Sequence, residues 1–164
     1  MASSDDSKPI SLSLGEHPPI AEAVKIKIIN DGRGRHHSAR TKARKAALDY
    51  LYDAEITGRD PMDLIAPASR SLTRDLVQGV LTSQLVIDEA IVNALTPDWT
   101  LSRMPAVDRI LARMATWEIM FSATEPAVAI SEAVALADEY STDASAAFLS
   151  SVLGRVLDIH LASV

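Results

Sequence analysis

Arg33, Arg35, Arg40, Lys42, Arg44 and Lys45 fall inside one stretch, Gly32 to Leu48, that also holds His36 and His37 and no acid. Without these six charges the formal net charge of −6 would be −12, so the positive charge is placed rather than spread. Placed positive charge on an acidic chain is the footprint of a polyanion partner. The run passes without a breaker into A-R-K-A-A-L-D-Y-L-Y-D-A-E-I, a helical pattern, so a basic arm feeds a basic helical face. That is the layout of an arginine-rich RNA-binding segment.

Other residue types capable of chemistry are poorly arranged for it. His17, His36, His37 and His160 lack ligand-like spacing to carboxylates, and the pair His36-His37 suits a basic arm better than a metal. Gly32 and Gly34 follow no strand, which argues against a phosphate loop. Asp88-Glu89 and Asp138-Glu139 are helical neighbours whose side chains point apart, as solvated charges do. With no cysteine there is no disulfide, thiolate metal site or thiol nucleophile, and no nucleophile is paired with a base. The expectation is a protein that is not an enzyme and carries no metal or cofactor.

The elements that must position the basic face are helices. The chain has 164 residues, 48% of them hydrophobic but only 4% aromatic, a balance of Ala, Leu, Val and Ile that favours helices packed on helices. No apolar run approaches the roughly 18 to 20 residues of a membrane span, and no secretory leader is evident, so a soluble cytoplasmic protein is expected. Residues 1–31, rich in Ser, Asp and Pro at their start, are expected to form a flexible extension before a helical domain over 32–164.

From Ala39 onward the helical period dominates, with about seven helical segments and no convincing strand pair. The first ends at Gly58; another carries Leu72, Leu76, Val77 and Val80, capped by Ser69 or Ser71 and broken at Thr82-Ser83. Pro105 suits the first turn of a central helix with Val107, Ile110, Leu111, Met114 and Ile119, which Pro126 closes. Two more follow, around Ile130 to Tyr140 and from Phe148 onward. Gly79 and Gly154 inside helices suggest close helix packing. Trp117 reads as core.

On a wheel of 100° per residue, Ala43, Ala46, Ala47, Tyr50, Leu51 and Ala54 share the buried arc of the first helix. Arg44, Lys45 and Lys42 lie opposite, with Tyr52 among them. There Tyr52 can stack on an unpaired base while the cations hold phosphates. It can equally belong, with Leu48 and Ile56, to a second apolar stripe under another helix.

Five blocks in order resemble the NusB family of transcription antitermination factors: A-R-K-A-A-L-D-Y-L-Y-D-A-E (Ala43 to Glu55), R-D-L-V-Q-G-V (Arg74 to Val80), P-A-V-D-R-I-L-A-R-M-A-T-W-E-I (Pro105 to Ile119), A-I-S-E-A-V-A-L-A-D-E-Y-S-T-D (Ala129 to Asp143) and F-L-S-S-V-L-G (Phe148 to Gly154). The resemblance covers Ala39 to the C-terminus. It implies an all-α fold of two small packed helical bundles. It also implies binding of box A RNA in ribosomal RNA leader transcripts together with NusE, a small-subunit ribosomal protein, and entry into the RNA polymerase elongation complex. By position, Arg40, Lys42, Arg44, Lys45, Tyr52 and Phe148 match the RNA-contacting segment and aromatics, and Asp108 and Glu118 the NusE side. Three features depart from the family: Ser38, Ala39 and Thr41 interrupt a usually denser arginine run; Ser131 stands where Asn is usual; and Ser150-Ser151 replaces Asn-Gly.

Two alternatives belong to other classes. One is a helical protein–protein adaptor whose basic arm meets an acidic partner. The other is a stand-alone relative of the N-terminal RNA-binding domain of a ribosomal RNA methyltransferase, although no catalytic domain follows in these residues. Leftover apolar arcs on short helices also leave room for a homodimer.

Overall fold

The computed structural model describes residues 38–164, and these form seven α-helices and a 3-10 turn. The expected extension over 1–31 and the start of the basic run, with Arg33, Arg35, His36 and His37, lie outside the described residues. Helix α1 (Ala39–Thr57) begins where the Ser38 side chain accepts from the Thr41 amide at 3.1 Å. It ends where Gly58 takes φ 70°, a left-handed conformation that costs a residue without Cβ nothing. Asp60 caps the short α2 (Pro61–Leu64), with Pro61 supplying its preset φ at the first turn.

Helices α3 (Ser71–Thr82) and α4 (Gln84–Ala94) break at Ser83, as the Thr82-Ser83 pair predicts. The cap of α3 differs from expectation: Arg70 occupies it with no side-chain bond, Ser71 is already the first helical residue, and the Ser69 hydroxyl lies 3.4 Å from the Tyr50 hydroxyl. After the 3-10 turn (Leu101–Arg103) come α5 (Ala106–Phe121), α6 (Pro126–Tyr140) and α7 (Ser145–Ser163). Pro105 is the cap of α5 rather than its first turn. Pro126 opens α6, since α5 has already ended at Ser122, whose hydroxyl turns back to the Glu118 carbonyl at 2.8 Å.

Two groups of helices, α1–α3 and α4–α7, meet through α5, which packs against α1, α3, α4, α6 and α7. Such a helix must be apolar nearly all round. Ala106, Val107, Ile110, Leu111, Ala112, Met114, Ala115 and Ile119 of α5 are all buried, joining one continuous core. Helix α7, 19 residues with a mean hydropathy of 1.2 over its most apolar window, does have the length and composition of a bilayer span, contrary to expectation. Its Leu149, Val152, Leu153 and Val156 are buried in the core against α4, α5 and α6.

At Gly79 α3 and α5 pack closely. A Cβ there would lie 2.1 Å from a carbon of the Trp117 indole on α5. The half-buried Trp117 therefore packs on bare backbone. Gly154 differs from expectation, since a Cβ at that position would meet nothing within 4 Å.

Within this apolar assembly sits one buried ion pair. Arg44 of α1 donates through Nε to Glu118 Oε2 at 3.0 Å and through Nη2 to Glu118 Oε1 at 2.8 Å, with both side chains almost wholly buried. Thr124 donates to the same Oε1 at 3.1 Å, and Glu132 of α6 lies 3.8 Å from Arg44 Nη1 while accepting from Thr41 at 2.9 Å. Burial opposes the guanidinium charge, but the hydrogen bonds and charge of Glu118, aided by Glu132, outweigh it and leave Arg44's pKa raised. The fork geometry uses both carboxylate oxygens.

Breaking such a pair leaves a stranded buried charge, which costs about 3–5 kcal/mol. Arg44→Met is therefore expected to lose about that much in chemical denaturation, and Arg44→Met with Glu118→Leu distinctly less than the two single changes combined. Strict additivity in this cycle would contradict the coupling. Gly79→Ala is expected to destabilise by about 1–3 kcal/mol through overpacking on Trp117, whereas Gly154→Ala should hold or raise the melting temperature.

Candidate nucleic-acid interface

The amino end of α1 carries the described part of the basic run, and its cations divide into two kinds. Arg40 and Lys42 are exposed in the first turn. No acid accompanies them there, so their charges add to the positive end of the helix dipole instead of opposing it. For the helix alone this arrangement is unfavourable, since acids are what stabilise that end. For an anion it is additive.

Lys45 is half-buried. Its ammonium meets Asp49 Oδ2 at 2.5 Å and lies 4.9 Å from the ring centre of Tyr140 at the end of α6. Burial, with a bond and charge from Glu139, pushes the Tyr140 hydroxyl upward, so the ring stays neutral and offers the cation a π face. Burial likewise holds the Asp49 carboxyl above the ordinary range, against the pull of Lys45.

The other expected contacts are placed differently. Arg44 points inward to Glu118, where no phosphate reaches it without breaking that pair. Tyr52 is 1% exposed in the core with Leu48 and Leu51, so the apolar-stripe alternative holds for Leu48 and Tyr52 though not for Ile56, which is exposed, and the Tyr52 ring offers no face to a base. The α1 wheel has the right angles, but it cannot tell solvent from the helix covering that arc. Burial, then the nearby Glu55 and Asp53, push its hydroxyl upward.

Asp108 and Glu118, expected at a partner surface, are each 2% exposed. Asp108 accepts from Ser141 at 2.5 Å and Ser145 at 2.8 Å, tying the start of α5 to the α6–α7 corner. Glu118 holds Arg44. Neither carboxylate can lend its charge to a docked protein while these bonds stand.

Phe148, in the first turn of α7, is half-buried beneath Trp99, with ring centres 5.2 Å apart at 47°. The Arg103 guanidinium lies 5.2 Å from the Trp99 ring centre. Nothing in the helical periodicity assigns Trp99 a role, although a Trp with an Arg four residues on is visible in the sequence. Glu132, which fastens α1 to α6 through Thr41 and Arg44, was also missed; nothing in the spacing marks it. Its neighbour Ser131 is exposed and bonds back to the Val128 carbonyl at 3.2 Å, while Ser150 and Ser151 are exposed on α7. Among the described residues no three His, Asp or Glu side chains gather as a metal site.

The NusB family model matches residues 41–158. The transcription antitermination protein NusB of Cutibacterium acnes is 44% identical over 127 residues, 73% of this chain and 49% of its own length, so this chain spans about half of that relative. The protein of the same name from Clavibacter michiganensis is 44% identical over 132 residues, covering 73% of this chain and 96% of the relative. These relatives are named for antitermination and not for a catalysed reaction. Among solved structures, NusB of T. maritima superposes with a TM-score of 0.67 at 27% identity, covering 75% of this chain and 93% of that one. NusB crystallised with NusE and double-stranded RNA has the same fold, with a TM-score of 0.65 at 22% identity over 73% of this chain and 96% of that one. The chain belongs to the NusB family.

Proposed function

We propose that this chain acts in transcription antitermination by binding box A-type RNA of ribosomal RNA leader transcripts, together with a NusE-type ribosomal protein, and joining the RNA polymerase elongation complex in the cytoplasm. The observation that carries the RNA part is the exposed pair Arg40 and Lys42 at the amino end of α1, whose own first turn holds no acid and where the one carboxylate bonded in from outside, Glu132, is spent on Thr41 and Arg44. An acidic chain that sets its cations where they weaken their own helix has placed them for a ligand. The mode of action is tethering: holding a nascent RNA and a second transcription component at once raises their effective concentration to the millimolar range of short tethers.

The fold that supports this reading is one on which NusE and double-stranded RNA have been held together in a relative's crystal structure. The NusE-facing surface of this chain lies outside the bonded carboxylates of Asp108 and Glu118. With Arg44 paired inside, the cations of the basic run on α1 that reach phosphate directly are Arg40 and Lys42, with Lys45 attenuated by Asp49.

Each phosphate contact on single-stranded RNA contributes about −0.7 to the slope of log affinity against log salt. Arg40→Ala with Lys42→Ala is expected to keep the parent's melting temperature and to flatten that slope by about 1.4 on box A RNA. Unchanged slope and affinity would show that the α1 amino end does not hold RNA.

A further inference from the structure

Trp99 is 39% exposed, and among the described aromatic residues only Trp99 and Phe121 are exposed rather than half-buried or buried. Phe121 ends α5, whereas Trp99 sits by the opposite end of that helix. Leaving so much of an indole in water forgoes burial that a fold would otherwise take. Nor is the loop loose. Met104 is buried, and Arg109 donates to the carbonyls of Leu101 and Met104 at 3.3 and 3.1 Å. Arg103 is itself aimed by a bond from Nη1 to the Asp98 carbonyl at 2.5 Å. The indole thus has Phe148 under it, a positioned guanidinium beside it and a pinned backbone on both flanks.

We infer that Trp99, backed by Phe148 and flanked by Arg103, is a stacking platform for an unpaired RNA base, a contact separate from the phosphate-binding end of α1. This rests on the RNA-binding reading above. A rigid aromatic surface with an adjacent cation suits a nucleotide of single-stranded RNA, which offers the π face of its base to the indole and its phosphate to the guanidinium. Phe148 is held under the indole because the start of α7 is fixed by the Ser145 hydroxyl on Asp108 at 2.8 Å.

The exposed Asp98 and Asp143 border the platform, so it grips by stacking more than by charge. That difference is measurable. With the full chain and single-stranded box A RNA, Trp99→Ala is expected to lower affinity by about 5- to 150-fold. The salt slope should stay at the parent's value, unlike that of the Arg40 and Lys42 changes. Trp99→Phe should retain most of the affinity, because stacking needs a ring and not the indole N–H. In the parent, RNA should quench the Trp99 emission, read as the difference between parent and Trp99→Phe, which also serves should Trp99→Ala melt early.

Parent-like affinity of Trp99→Ala, or emission from Trp99 that RNA leaves unchanged, would overturn the platform and make Trp99 a surface packing partner of Phe148. Retained RNA affinity with lost NusE binding would also overturn it, assigning Trp99 to a protein contact. A parent that binds no RNA would instead remove the RNA-binding reading itself.

Discussion

Two charges taken out of water must answer each other with their geometry, and here Arg44 and Glu118 do so across the junction of α1 and α5. Each member of the pair also reaches a third residue. Glu118 Oε1 also accepts from Thr124, which fixes the α5–α6 connection, and Glu132 approaches Arg44 while holding Thr41. The pair contributes little as a net stabiliser compared with apolar residues of the same volume. What it favours is register, because rotating or sliding α1 on α5 would pull the guanidinium off the two Glu118 oxygens it now bridges and strand both charges in the core. Arg40 and Lys42 are carried outward at the end of the helix so positioned.

A second polar clasp acts at the other end of α5. Asp108 gathers the Ser141 and Ser145 hydroxyls, and Ser145 Oγ also accepts from the Thr142 amide at 3.2 Å. It fixes the start of α7 and hence Phe148. Trp99 reaches Phe148 from the loop that Arg109 fastens to α5. Helix α5 therefore aligns two surface regions, basic at the α1 end and aromatic at the α7 end, without presenting a side chain of its own to either.

The fold was legible because its information is periodic. Apolar residues at helical spacing, with breaks at Gly58, Ser83, Pro105 and Pro126, specify helices and short connections, and an ordered set of such blocks specifies the family. Capping was less legible, since Ser69 and Ser71 are both good caps locally and the cap falls to Arg70 between them. The site was legible in composition but not in direction. Arg40, Lys42, Arg44 and Lys45 look alike in a string of cations, and what separates Arg44 from the rest is a carboxylate 74 residues away. The same long-range partnering withdrew Tyr52, Asp108 and Glu118 from the surface. A wheel orders residues around an axis; it carries no record of how many helices close over that axis.

The residues a family shares are therefore two populations with different reasons for being there. Some touch the ligand. Others, such as a buried arginine in a basic motif, are held in place by the fold, and their substitution would weaken RNA binding only by loosening the helix that presents the exposed cations. Loss of function on mutation cannot separate the two, because both abolish binding. Salt dependence can. A contact residue takes its counterion release with it and changes the slope, whereas a register residue lowers the population of competent molecules and leaves the slope of those that remain. On the proposed RNA-binding reading, Arg44 and Lys42, two residues apart on one helix, fall on opposite sides of that distinction.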